Sequence, residues 1–262
     1  MTTDDATRSL LDRFIGDVRS VLPLVALWAH GSLALGDYQP GRSDLDLVAL
    51  TGAQVTGPQR QDLQRMHELL HSEVPLAGHL HCSYVVSGEL GDAGQDHLTW
   101  AHGELFERPV SPVSRRELSA GGVSLFGVAP AAVVPAVTDH DLQDYIRGDL
   151  RDFWYPHTAR ADLWLQDIWV DLGMLTFARA TVTLRAGRLI TKREALEVLA
   201  TLDAPADVLR DIYQRRYGPA EAQPVSEDWL ARRGQLTRTY LADSIRDALA
   251  LAGEPAPPSH HH

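Results

Sequence analysis

Apolar residues at Leu10, Leu11, Phe14, Ile15, Val18 and Val21 recur every three to four positions. This spacing predicts a helix over 6–22, with Asp4 or Asp5 placed to cap it. An apolar run over 21–29 predicts a buried strand, and 32–35 has length for one or two helical turns before Gly36, Pro40 and Gly41 break the chain. Residues 43–50 resume as a second strand. There the alternation sets Asp44 and Asp46 on one face and Leu45, Leu47 and Ala49 on the other. A helix over 57–72, opened by Pro58, carries Leu63, Met66, Leu69 and Leu70 on one side. A third strand is predicted over 79–86, an irregular segment over 88–107, a weak helix over 115–120 and a short strand over 123–128. From residue 139 the period is close to 3.6, with helices predicted over 139–153, 161–186, 192–202, 206–217 and 227–251. Gly187, Thr191, Pro205 and Gly218 stand at their ends.

The pattern defines an α+β chain: an N-terminal domain over 1–137 with a mixed sheet and helices, then an all-α bundle of about five helices over 138–253. The Pro-rich stretch 254–262, ending in His260, His261 and His262, reads as a disordered tail with the look of a purification-tag remnant, not as a metal site.

Composition narrows the possible roles. The chain has 262 residues, 44% hydrophobic and 23% charged, within the range of soluble globular proteins. Its net charge of −11, with no basic run, argues against nucleic acid as the main partner and suits a cationic small molecule better. One cysteine, Cys82, excludes an internal disulfide and fits a reducing, cytoplasmic setting. The acidic N-terminus is not a signal peptide, and no apolar stretch reaches the roughly 20 residues of a membrane span. Nothing in the sequence marks a dimer interface, so a monomer is expected.

The chemistry concentrates in 28–50. Two carboxylates close together on a strand repel unless a cation lies between them, and magnesium, with its hard oxygen ligands and attendant phosphates, is the natural candidate. Gly31-Ser32 supplies the complementary half, because glycine permits close backbone approach to a phosphate and the amides of a helix start attract anions.

Gly31-Ser32 followed by Ser43-Asp44-x-Asp46 resembles the signature of the polymerase-beta-like nucleotidyltransferases. With the helical second half, the chain resembles the aminoglycoside (3'')(9) adenylyltransferases, and the stretches 122–130 and 178–194 are similar to corresponding segments of that family. The resemblance implies ATP and Mg2+ as cofactors and AMP transfer to a hydroxyl of an aminoglycoside-like acceptor, with transfer to a protein or another metabolite, or nucleotide binding without catalysis, as the alternatives. By the same resemblance, Gly31, Ser32 and Ser43 hold phosphates, and Asp44 and Asp46 bind metal and are catalytic. Arg179 and Lys192 match the basic pair that the family's helical domain brings to the ATP phosphates.

One position departs from the family. Its strand glutamate, the general base on the acceptor hydroxyl, has no equivalent acid in 79–86. His81 stands in its place, with His79 two residues away on the same face and Glu104 as another acid for the role. A neutral imidazole can accept the proton near neutral pH. For the acceptor, Trp164, Asp167 and Asp171 share a spacing of three and four that predicts one helix face with both charge and a flat ring. Trp100 and His102 are further candidates from the first domain.

Overall fold

Asp4 accepts a hydrogen bond from the Thr7 amide at 3.0 Å and so starts α1 (Asp5–Val21), which buries Leu10, Leu11, Phe14 and Val18. The computed structural model describes residues 4–219 and 226–251. The chain divides into two units, Met1–Thr138 and Asp139–His262. The tail 254–262 lies outside the described residues.

After α1, the first unit runs through β1 (Leu24–Ala29), α2 (Gly31–Leu35), β2 (Leu45–Thr51), α3 (Gly57–Glu73), β3 (Leu80–Val86), β4 (Asp96–Ala101), β5 (Glu104–Pro109), α4 (Pro112–Gly121) and β6 (Val123–Gly127). The six strands form one sheet in the order β5-β4-β3-β2-β1-β6. Only β2 and β3 pair in parallel, with α3 in the crossover that such a pair requires. Leu27, Leu47, Ala49, Cys82 and Tyr84 pack with Phe14, Leu63 and Leu70 in one core cluster. Trp28, Val48, Leu50 and Val85 pack with Leu90 and Leu118 in another. Burial on both faces explains why β1 reads as a continuous apolar run.

The segment 88–107, expected to be irregular, instead contains β4 and most of β5. The two are joined at His102 and Gly103, both with positive φ (54° and 84°). β5 is an edge strand whose Glu104, Glu107 and Arg108 leave no clear alternation to read. The weak helix expected over 115–120 is α4, which begins earlier, with Pro112 in its first turn and Ser111 as its cap.

The described residues of the second unit are helical: α5 (Asp139–Gly148), a π-helical stretch Asp149–Trp154, α6 (Tyr155–His157), α7 (Asp167–Ala186), α8 (Lys192–Thr201), α9 (Ala206–Tyr217) and α10 (Glu227–Leu251). The expected helix over 161–186 starts later. A 3-10 turn, Leu163–Leu165, comes first, and Gln166 is extended. This break turns Trp164 into the core, where its indole donates to the His157 carbonyl at 2.8 Å. A Cβ on Gly173 would stand 2.7 Å from the Trp164 ring, so a residue without a side chain is required beneath it. α8 begins with a capping box formed by Thr191 and Glu194.

Candidate active site

The site lies at the end of β1 and the start of β2. His30 extends β1 beside Asp46, its amide donating to the Asp46 carbonyl at 2.9 Å. Gly31 follows with φ +60°, in the left-handed region that favours glycine. A Cβ there would lie 2.6 Å from Oδ2 of Asp46, so the turn and the carboxylate are in direct contact. Next along the chain, Ser32 has a buried Oγ that finds no hydrogen-bond partner among the described residues. A buried hydroxyl left in that state costs free energy until a ligand or water accepts from it. Gly31, Ser32 and Asp46 are thus brought together as expected, and an oxygen-rich ligand would satisfy the serine.

Asp44 precedes β2 and Asp46 lies within it. Their side chains are 46% and 33% exposed, open enough to ligate an ion. The parallel register pairs Asp46 with His81. Nδ1 of His81 is 3.7 Å from Oδ1 of Asp46, and Nδ1 of His79 is 3.8 Å from Oδ1 of Asp44. His102, in the β4–β5 turn, sets its ring edge-on to His81 with centroids 4.7 Å apart. Among the described residues no group of three or more His, Cys, Asp and Glu side chains forms a ready metal cage. Each aspartate faces one imidazole at a separation too long for a hydrogen bond.

Two further residues escaped the sequence reading. Nδ1 of His30 hydrogen-bonds Oε2 of Glu117 at 2.9 Å, and Glu117, on α4, is 6% exposed. Burial disfavours the charged imidazole, but the Glu117 hydrogen bond and the charges of Asp46 and Glu117 outweigh it, so the His30 pKa stands above the ordinary histidine value. His30 precedes Gly31 and carried a weak positional signal. Glu117 carried none, because 87 residues separate it from its partner.

Several other expected residues are placed differently. Ser43 is buried, and its hydroxyl accepts from the Gln39 amide at 3.0 Å, which closes the turn before β2. Trp100 is buried and stacked on His67 with centroids 4.4 Å apart, and Trp164 is wholly buried, so neither offers a free ring to an acceptor. Trp164 also lies before α7 instead of sharing its face. Asp167 and Asp171 belong to an ionic network with α9 and α10. Arg233, with no exposed side-chain surface, donates to Asp167 at 2.6 Å and to Asp211 at 3.0 Å. Arg215 holds Asp171 at 2.5 Å and also pairs with Asp211. These acids are engaged in holding helices together. In the same unit, Arg179 lies on α7, where its Nε donates to the Ile190 carbonyl at 3.0 Å, and Lys192 is the first residue of α8.

The chain has a nucleotidyltransferase-type fold, a mixed sheet with helices followed by a helical region. The spectinomycin adenyltransferase AAD(9) of Enterococcus faecialis, solved with ATP and spectinomycin, superposes with a TM-score of 0.67 at 15% identity, covering 89% of this chain and 98% of that one. A tri-AMPylated HEPN toxin in complex with MNT antitoxin, from Shewanella oneidensis, covers 58% of this chain and 91% of its own at 14% identity. Its TM-score of 0.26 is too low to define a shared fold. No family model matches the sequence, and no curated protein matches it. No helix among the described residues is long and apolar enough to cross a membrane.

Proposed function

We propose that this protein transfers AMP from ATP to a hydroxyl of a small cationic acceptor of the aminoglycoside or aminocyclitol class, releasing pyrophosphate. The observation that carries the proposal is the contact of Gly31 with Asp46 beside the unpartnered hydroxyl of Ser32. It sets a hydroxyl donor, suited to a phosphate oxygen, beside a carboxylate suited to the cation that accompanies a nucleotide phosphate. Asp44 and Asp46 are the residues that would hold divalent metal; when bound, it offsets the triphosphate charge and favours attack at the α-phosphorus.

The chain's own residues contribute binding and orientation. Gly31 lets the turn approach the Asp46 carboxylate closely, and Ser32 donates its hydroxyl to a phosphate oxygen. Arg179 and Lys192 are assigned to the polyphosphate, where a guanidinium and an ammonium offset the remaining charge. His81, in the place of the family's glutamate, stands beside Asp46 where the acceptor hydroxyl must be activated. AAD(9) was solved with ATP and spectinomycin, and the net charge of −11 favours an acceptor of the same cationic kind.

The test is mass spectrometry of streptomycin, spectinomycin and related aminoglycosides after incubation with the protein and Mg-ATP. A product heavier by one AMP, absent with Asp46→Ala, is the expected result. If ATP binds but no drug in the panel is modified, the acceptor class is wrong. If ATP does not bind, the nucleotidyltransferase reading fails as a whole.

A further inference from the structure

The turn that carries Gly31 and Ser32 opens a helix too short to hold itself in place. α2 has five residues, and helices shorter than about 12 residues are marginal in water unless packing supports them. Both of its ends are glycines in the left-handed region, Gly31 at φ +60° and Gly36 at φ +77°, with the most backbone freedom to lose on ordering. His30, at its N-cap, makes no side-chain hydrogen bond to the helix. Leu33 is buried, but apolar burial has no direction and does not fix where Ser32 points.

The side chain of His30 is turned to α4 instead. Its Nδ1 lies 2.9 Å from Oε2 of Glu117, whose side chain is only 6% exposed. A buried hydrogen bond of this kind is directional and costly to leave unmade. On the main-chain side, the His30 amide donates to the Asp46 carbonyl at 2.9 Å. His30 is therefore held to β2 by its backbone and to α4 by its ring. The next residue is Gly31, in contact with the Asp46 carboxylate, and then Ser32. Any shift of His30 moves the turn relative to Asp46.

We infer that Glu117 is a positioning residue of this site: by holding His30 it sets the Gly31–Ser32 turn against Asp46, with the serine hydroxyl where a nucleotide phosphate reaches it. The inference rests on the reading that this turn binds nucleotide, and it adds a residue 87 positions from His30 that touches no ligand itself. Glu117 acts through the imidazole, and the imidazole acts through the backbone that continues into Gly31. What α2 lacks in length and capping, α4 supplies from outside.

The test is amide hydrogen exchange of the nucleotide-free full-length protein, followed in the peptide spanning 28–37, together with calorimetric titration by Mg-ATP. In that peptide the Asp37 amide bonds the Ser32 carbonyl at 2.9 Å. Glu117→Ala should speed exchange there and weaken Mg-ATP binding by about tenfold or more. Glu117→Gln keeps an oxygen that accepts from Nδ1 and should stay within about threefold of the unaltered protein in affinity. Arg115→Met controls for damage to the fold. Arg115 lies two positions before Glu117, on another side of α4, is equally buried, and donates to the Leu90 and Gly91 carbonyls at 3.0 and 3.1 Å. Its loss should lower the melting temperature and leave both exchange in 28–37 and Mg-ATP affinity unchanged. His30→Phe removes Nδ1 from the other end of the bond and should repeat the Glu117→Ala result, which keeps the test open if that variant does not fold. Unchanged exchange and affinity in Glu117→Ala and His30→Phe, or the same changes in Arg115→Met, overturns the inference. Faster exchange in Glu117→Ala when even the unaltered protein binds no Mg-ATP leaves the tether standing and refutes the proposed function.

Discussion

Gly31 and Asp46 are in contact so close that a methyl group on the glycine would stand 2.6 Å from the carboxylate oxygen. Gly31→Ala would place a Cβ at φ +60°, costing about 1–2 kcal/mol in backbone strain, and would also push Asp46 aside. The expected outcome is a lower melting temperature together with loss of measurable ATP binding. Gly36→Ala, also at positive φ (+77°) but with no atom within 4 Å of the added Cβ, should lower stability and leave ATP binding intact. Calorimetry on both variants separates strain from loss of the site.

His67 offers a test by pH. It is buried between Phe14, Tyr84 and Trp100, its Nε2 is 2.6 Å from the Tyr84 hydroxyl, and burial pushes its pKa down to about 3. The unfolded chain takes up a proton near pH 6.5 that the folded protein refuses until about pH 3, so stability must fall as pH drops through that window. The limiting slope is about 1.4 kcal/mol per pH unit for one such group. Urea denaturation from pH 7 to pH 4 should show this fall, and His67→Gln, uncharged throughout, should flatten it. An unchanged slope in the variant would mean that other groups set the acid sensitivity.

Arg233 tests the ionic network of the second unit. Replacing it with alanine removes a fully buried donor from Asp167 and Asp211, which keep Arg215 as a partner, a change expected to cost about 1–3 kcal/mol. Asp171→Ala should likewise lower stability through its partner Arg215. If Asp171 instead recognised the acceptor, its removal would raise KM for the acceptor and leave the denaturation midpoint unmoved. Urea midpoints and steady-state kinetics on the same protein decide between them.

Thr191 caps α8 and orients its first residue, Lys192. Thr191→Ala breaks the capping box with Glu194 and should cost about 1 kcal/mol. If Lys192 contacts the polyphosphate, the same variant should weaken ATP binding, while Thr191→Ser should restore both properties. Thermal shift with and without ATP measures the two effects side by side.

Much of this architecture was legible in the order of residues, because the forces responsible act locally. Helical period and capping predicted α1, α3, α8, α9 and α10 to within a few residues. Apolar runs predicted β1, β2 and β3, and Gly31-Ser32 with Asp44-x-Asp46 marked the candidate site, since a turn and the strand after it lie close in sequence. Other features depended on contacts between distant segments. The edge strand β5 has one weakly buried face, and its polar residues hid it. Trp100 and Trp164 stood as candidates for acceptor recognition against the commoner core role of tryptophan, and packing against His67 and Gly173 places them inside. Asp167 and Asp171 looked like a surface for a cationic ligand until Arg215 and Arg233, more than forty residues later in the chain, claimed them. Glu117 reaches His30 only because α4 packs under the sheet. The placing of His81 beside Asp46 follows from the parallel register of β2 and β3, and no local periodicity encodes which residues of two separate strands come to stand side by side.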